Sequence, residues 1–342
     1  MAARFSIWAA LAAMLLGGSG CGTFLAHRLA QAPNTYPTWF APEARVVLGF
    51  DVKFLTNFPA RFVTVGPPSA RLRYRVVPPA DYHLTVASTN WLARGVRQYD
   101  FTFHADVPAP TNQWTQAPRG TVVLLHGWGV GQFAMAPWAL RLAQEGWQCV
   151  LVDLRGHGRS TGRQIFFGLR ETTDLSQLLD RLASDQKLVL PVAAVGESYG
   201  AALALRWKTT EPRLGPVVAI APYADLSNAV VNISHDYAAW VPDALIRAGL
   251  RQLPAILQAN DAELDTTTVV RRGAVTALFV AGTADRVTPL AEVRQLAALA
   301  GPGSQLIEVP DATHEAVTYF FTDLVPPVLQ WLAAPVIQTA SP

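Results

Sequence analysis

The stretch Val192-Ala-Ala-Val-Gly-Glu-Ser-Tyr-Gly-Ala-Ala-Leu-Ala-Leu205 constrains the fold more than any other part of the chain. Val192 to Val195 reads as a buried strand, and small and aliphatic residues continue at helical spacing through Leu203 and Leu205. Between them lies Gly196-Glu197-Ser198-Tyr199-Gly200. The order is strand, tight turn, helix, with a serine at the apex and a glycine two positions to either side. The glycines let the backbone reverse sharply and let the helix pack close to the strand. The Ser198 hydroxyl is then exposed above a sheet, near a helix N-terminus. A bare Gly-x-Ser-x-Gly match is common by chance. The apolar strand before it and the small-residue helix after it supply the context that a nucleophile requires.

The rest of the chain repeats the strand–helix alternation. Thr121–Leu125, Cys149–Val152, Pro216–Ala221 and Val275–Ala281 are apolar runs of strand length, as expected of strands buried on both faces, and Gln305–Val309 is a further strand. Helical spacing separates them: Leu140, Leu142 and Ala143; Thr173–Ala183; Pro289–Leu299; and about Glu315 to Leu332. This order predicts an α/β fold, a mostly parallel twisted sheet of about eight strands with helices on both faces. Arg71–Val77 and Gln98–Ala105 alternate in polarity and are expected to be the first two antiparallel strands of that sheet. From Leu226 to Arg271 the alternation stops. Leu245, Ile246, Leu250, Leu253, Ile256 and Leu257 predict a helical insert there, made aromatic by Tyr237 and Trp240. It reads either as a lid over a pocket or as a plain packing pair. The globular domain is placed at 71–335. Residues 28–70, broken by six prolines, are expected to form a surface-crossing extension with short apolar pieces at Val46–Phe50 and Phe62–Val65.

Composition removes several function classes. Of 342 residues, 51% are hydrophobic and 15% charged, which supplies a sizeable core and argues against wholesale disorder. A net charge of +2 gives no case for nucleic acid or a polyanionic substrate. Two cysteines, Cys21 and Cys149, build neither a disulfide framework nor a zinc site. Cys149, in an apolar strand, reads as a small core residue.

The N-terminus departs from ordinary soluble composition. Phe5 to Ala26 contains no formally charged residue, with Arg4 before the run and Arg28 after it. Ile7–Leu16 has the length of a signal-peptide apolar core. The run ends in Leu15-Leu-Gly-Gly-Ser-Gly-Cys21, which resembles a bacterial lipoprotein signal with Cys21 as the lipidated residue, although Gly18 stands where that signal usually has leucine. An uncleaved anchor and an ordinary secretory signal are the rival readings. All three give residues 1–27 to targeting or anchoring and place the folded part outside the cytoplasm; the lipoprotein and anchor readings make the N-terminus the membrane partner and keep the protein in the cell envelope.

A neutral serine hydroxyl needs a base, usually histidine, which a carboxylate orients. Of the histidines at 27, 83, 104, 126, 157, 235 and 314, only His314 follows the last predicted strand, on a loop able to carry an imidazole over the serine. Asp285 directly follows a strong strand in Gly282-Thr-Ala-Asp and is the favoured acid, with Asp225 as a competitor. Asp311 lies too close to His314 in the same loop to be preferred. His126-Gly-Trp-Gly129 is balanced between a loop whose N–H groups meet a substrate oxygen and a glycine pair with a structural histidine. Asp153-Leu-Arg-Gly-His-Gly-Arg-Ser160 reads as a structural loop fixed by mutual hydrogen bonds, with His157 as one of its pins.

From about Thr121 to Leu332 the chain resembles an α/β-hydrolase. The resemblance rests on His126-Gly-Trp-Gly, Asp153-Leu-Arg-Gly-His-Gly-Arg-Ser, Gly196-Glu-Ser-Tyr-Gly, Gly282-Thr-Ala-Asp-Arg-Val-Thr-Pro and the late His314. It implies a Ser198–Asp285–His314 triad and an oxyanion hole from the backbone N–H groups of Trp128 and Tyr199. It further implies hydrolysis of a small-molecule or lipid acyl substrate, by default a carboxylic ester, through an acyl-enzyme. Acyltransferase, thioesterase and peptidase chemistry use the same site, and a non-catalytic envelope binding protein is the contrasting class. No cofactor or metal is expected. His314-Glu315 lacks the second histidine of a zinc helix, since position 318 is threonine, and Gly127, Gly129 and Gly131 have the wrong spacing for a dinucleotide.

Overall fold

The computed structural model describes residues 20–36, 46–49, 52–93, 95–106, 117–237 and 239–334. Its strands in chain order are β1 (Val46–Gly49), β2 (Arg61–Val65), β3 (Ala70–Val77), β4 (His83–Ala93), β5 (Val96–Asp106), β6 (Thr121–Leu125), β7 (Gln148–Asp153), β8 (Val192–Glu197), β9 (Leu214–Ile220), β10 (Leu278–Gly282) and β11 (Gln305–Val309). Eight of them form one sheet in the order β11-β10-β9-β8-β6-β7-β3-β2. From β7 to β11 every neighbouring pair is parallel, and β3 runs antiparallel to both β7 and β2. The mostly parallel eight-strand sheet matches the sequence-based expectation.

The helices are α1 (Gly20–Ala30), α2 (Ala136–Gln144), α3 (Glu171–Ser184), α4 (Tyr199–Lys208), α5 (Leu226–Tyr237), α6 (Asp243–Leu257), α7 (Asp261–Leu264), α8 (Thr266–Gly273), α9 (Leu290–Leu299) and α10 (Phe321–Ala333). The continuous apolar strands bury alternate residues in two cores. Val123, Val150, Val152 and Ala194 face α3, α4 and α9. Val122, Leu124, Leu151 and Val195 face α2 and α10. That two-sided burial is why these strands show no alternation of polarity. Leu178 of α3 is fully buried, and its truncation to alanine carries the usual cavity cost of about 2–5 kcal/mol.

Two expectations need correction. Gln98–Ala105 is a strand, but not of the large sheet: β5 pairs with β1 and β4 in a separate three-stranded sheet. The alternation was real, since Tyr99, Phe101 and Phe103 are buried, but they pack against Tyr319, Phe320 and Phe321 at centroid distances of 5.5–6.0 Å. Nor does the large sheet begin at residue 71. β2 already lies at its edge, with Val63 and Val65 turned inward. Ahead of it, residues 31–36 are tied to the loop after β7, with Ala32 and Pro33 buried. Ala32 N–H donates to Arg163 O (3.1 Å), and Asn34 donates through N–H to Gly156 O (3.1 Å) and through Nδ2 to Ser160 O (2.9 Å).

The insert between β9 and β10 is helical, comprising α5 to α8. α6 packs on α1 at a close, glycine-mediated crossing. A Cβ on Gly249 would lie 2.7 Å from Leu25 Cβ, and one on Gly22 would lie 3.1 Å from Ala248 O. The apolar run ahead of Gly20 lies outside the described residues, as does the side chain of Cys21, whose backbone sits in the first turn of α1. Among the described residues, no helix is long and apolar enough to cross a membrane.

Candidate active site

The sheet changes direction of growth at β6: β7 lies on one side of it and β8 on the other. Crevices at the carboxyl ends of strands at such a switch point are where ligands bind in open α/β sheets. Here these ends carry His126-Gly-Trp-Gly and Ser198.

Ser198 sits between β8 and α4 with φ 51° and ψ −112°, a conformation that side-chain-bearing residues rarely adopt. Packing enforces it. A Cβ on Gly196 would fall 2.3 Å from Gly200 O, and one on Gly200 would fall 2.3 Å from Leu125 O. Both glycines are therefore needed to bring the turn against the end of β6. Ser198 N–H donates to Ile220 O (2.8 Å), and Ser198 O accepts from Ala201 and Ala202 N–H, which starts the helix.

The structure brings Ser198, His314 and Asp285 together from three separate strand ends. Ser198 Oγ is 2.8 Å from His314 Nε2, and His314 Nδ1 is 2.8 Å from Asp285 Oδ2. Asp285 Oδ1 accepts the N–H groups of Val287 and Thr288 (2.8 Å each), and Oδ2 also accepts the Thr288 hydroxyl (2.7 Å). These bonds fix the carboxylate so that one oxygen is presented to the imidazole. Both side chains are buried. Burial alone would lower the His314 pKa. The charge and hydrogen bond of Asp285 outweigh it, with Glu315 and Glu197 adding, so the imidazole is held above its ordinary value. Asp225, the competing acid, instead accepts Asn228 N–H (2.7 Å) at the start of α5. Asp311 has positive φ and ties its loop to Thr283 Oγ1 through its backbone N–H.

His126 does not face this group. Its Nε2 accepts Leu154 N–H (3.1 Å), which assigns the proton to Nδ1, bonded to Gly127 O (2.7 Å). Burial lowers its pKa, so it is a neutral pin of the loop that follows. Gly127 comes close beneath the serine: a Cβ there would be 3.7 Å from Ser198 Cβ. Trp128 is the next residue, half-buried, with its ring 5.9 Å from that of Tyr36. Tyr199 opens α4, where backbone N–H groups have no intrahelical acceptor.

The loop after β7 is held by hydrogen bonds, as its sequence indicates, though Arg155 reaches further than expected. Asp153 Oδ1 accepts Gln132 N–H (2.8 Å) and Oδ2 accepts Arg159 N–H (3.1 Å), while Ser160 Oγ donates to Asp153 O (2.6 Å). Arg155 forks onto Asp174 of α3 with two bonds of 2.7 Å, both groups buried. His157 Nδ1 donates to Arg155 O (2.8 Å).

Glu197 is a site residue that the sequence reading passed over. It is buried next to Ser198, and burial pushes its pKa up to about 7, opposed by His314 and reinforced by Glu315. Its position inside the Gly196–Gly200 motif, at the end of a fully buried strand, was the available signal.

Comparison with known proteins agrees with this architecture. The family model described as serine aminopeptidase, S33, matches residues 116–269. An esterase from Pyrococcus furiosus is 19% identical, with a TM-score of 0.59 over 85% of this chain and 97% of that one. A hydrolase from Pseudomonas aeruginosa is also 19% identical, with a TM-score of 0.52 over 80% of this chain and 98% of that one. Est1E from Butyrivibrio proteoclasticus, solved with ferulic acid, is 12% identical, with a TM-score of 0.54 over 80% of this chain and the whole of that one.

Proposed function

From the α/β-hydrolase fold that this chain has, we propose that it is a serine hydrolase cleaving a carboxylic ester through an acyl-enzyme. The observation that carries the reading is the continuous chain Ser198 Oγ–His314 Nε2 and His314 Nδ1–Asp285 Oδ2, both 2.8 Å, on a strained turn at a topological switch point. His314 Nε2 takes the Ser198 proton as Oγ attacks the acyl carbonyl, and Asp285 stabilises the imidazolium that forms. The N–H groups of Trp128 and Tyr199 receive the developing oxyanion. His314 returns the proton to the leaving alcohol. It then activates a water that releases the acyl group and restores Ser198.

Labelling by a fluorophosphonate together with turnover of p-nitrophenyl esters tests this. Ser198→Ala should abolish labelling and lower turnover by at least about 10⁴-fold while the melting transition persists. Unchanged turnover would remove Ser198 from the nucleophile role. The serine aminopeptidase match favours a second reading on the same site, a peptidase, in which an amine leaves instead of an alcohol. Faster turnover of an aminoacyl p-nitroanilide than of any ester in a chain-length series would favour it.

We also infer attachment to the envelope through Cys21. Leu15–Cys21 supports this, and the lipidated residue would stand in the first turn of α1, beside the insert helix α6. Detergent partitioning of mature protein that survives Cys21→Ser would count against lipidation.

A further inference from the structure

A cavity of about 420 Å³ lies behind the Gly129–Phe133 stretch, with Arg73, Arg75, Gln132, Asp153 and Arg159 among its lining; Ser198 does not line it. Three of these residues are cationic and one is anionic. Arg73 and Arg75 are two apart on β3, so their side chains leave the strand on the same face, while Arg159 approaches from the loop after β7. Asp153 is already committed to the backbone N–H groups of Gln132 and Arg159, and its closest approach to Arg73 is a loose 3.8 Å. Among the described lining residues two positive charges are left over.

The buried polar groups point the same way. Arg75 is 8% exposed; one terminal nitrogen donates to Phe58 O (2.8 Å), but its Nε has no hydrogen-bond partner among the described residues. Gln132 is 3% exposed, and neither its amide nitrogen nor its amide oxygen has such a partner. Burying amide and guanidinium donors without acceptors is costly, and a ligand that supplies acceptors removes that cost. Burial and the neighbouring charge of Arg73, with a further contribution from Arg159, lower the Arg75 pKa, as expected where guanidiniums are crowded without enough counter-charge.

We propose that this cavity is a binding site for a phosphate group carried on a hydroxylated molecule. Guanidiniums converging from a strand and a loop suit a tetrahedral anion, whose oxygens point in several directions, better than a planar carboxylate. The free Gln132 oxygen calls for a donor, which a hydroxyl on the carrier or a protonated phosphate oxygen supplies. The volume exceeds what a bare phosphate fills. A soluble sugar or glycerol phosphate and a phospholipid headgroup share this chemistry.

Calorimetric titration of the full chain with inorganic phosphate and with glycerol 3-phosphate, at about 0.15 M ionic strength to screen diffuse attraction, tests the site. Saturable binding is expected, tighter for glycerol 3-phosphate, and weakened about tenfold or more by Arg73→Gln. Arg159→Gln, at an exposed position, is the second variant; it should also weaken binding without lowering the melting temperature. Absence of saturable binding, or binding equal in wild type and both variants, overturns the proposal. Loss of binding in Ser198→Ala also overturns it, because the phosphate would then belong to the catalytic crevice. Sedimentation with phosphatidylglycerol vesicles, using phosphatidylcholine vesicles as the reference, separates the two sources. Arg73-dependent pelleting that glycerol 3-phosphate competes away identifies a lipid headgroup; binding of glycerol 3-phosphate alone identifies a soluble ester.

Discussion

Asp285 and Asp153 solve the same local problem at the ends of β10 and β7. Each carboxylate gathers two backbone N–H groups and so fixes a loop: Val287 and Thr288 for Asp285, Gln132 and Arg159 for Asp153. They differ in what else each oxygen meets. Asp285 keeps Oδ2 for His314 and the Thr288 hydroxyl. The histidines around Asp153 bond to the main chain instead, His126 to Gly127 O and Leu154 N–H and His157 to Arg155 O. The carboxylate-bonded imidazole is held above its ordinary pKa. Burial lowers both main-chain-bonded ones, His157 to about 3, with the neighbouring His126 also acting against its charged form. Burial is common to all three. The partner of the imidazole decides whether it can carry a proton.

The contrast is broken most forcefully at Asp285. Asp285→Asn should reduce kcat/KM by a factor on the order of 10³–10⁴, with folding retained, because the imidazolium loses its counter-charge and the tautomer is no longer fixed. Asp225→Asn, which alters only the start of α5, should lose far less in the same steady-state assay. Asp153→Ala should act on stability instead. Stranding the buried Gln132 N–H and the part-buried Arg159 N–H that it collects should cost about 2 kcal/mol, read as a lower denaturant midpoint.

A pH profile sharpens the comparison further. With His314 as the proposed general base, kcat/KM should rise with pH through the raised pKa, placing the acid limb above the ordinary histidine value of about 6.5. In Asp285→Asn the residual activity should have its limb at lower pH. A limb that stays put would dissociate the shift from Asp285. The same raised pKa stabilises the fold below about pH 6.5, and that contribution disappears as pH climbs past the folded-state value. The smallest effect is expected at a third pair, His235 and Asp243, 2.9 Å apart but about half exposed. His235→Ala should change stability by about 0.5 kcal/mol or less.

Parts of this were legible in the sequence because their physics is local. Val192–Val195 and Thr121–Leu125 announce two-sided burial by being apolar throughout, and Gly196 and Gly200 announce a close turn. The order Ser198, Asp285, His314 follows from which loops trail strands. The unread parts depend on distant partners. β4 is largely exposed and carries little apolar pattern, so its pairing with β5 leaves no mark in its own residues. The Tyr99–Phe103 face is correctly apolar, yet nothing in it says that the aromatic cluster at 319–321 will cover it. Arg155 finds Asp174 nineteen positions away on another element. Glu197 was visible, but its significance came only with burial.

The tight seat of α1 on α6 has a mechanical consequence. With Leu25 against Gly249 and Gly22 against the Ala248 backbone, the two helices meet closely at their glycines. A swing of α6 would carry α1 with it, and the backbone after α1 runs on through Ala32 and Asn34 to Tyr36, beside Trp128. The far end of this tether meets Trp128, one residue from the Gly127 that lies against Ser198.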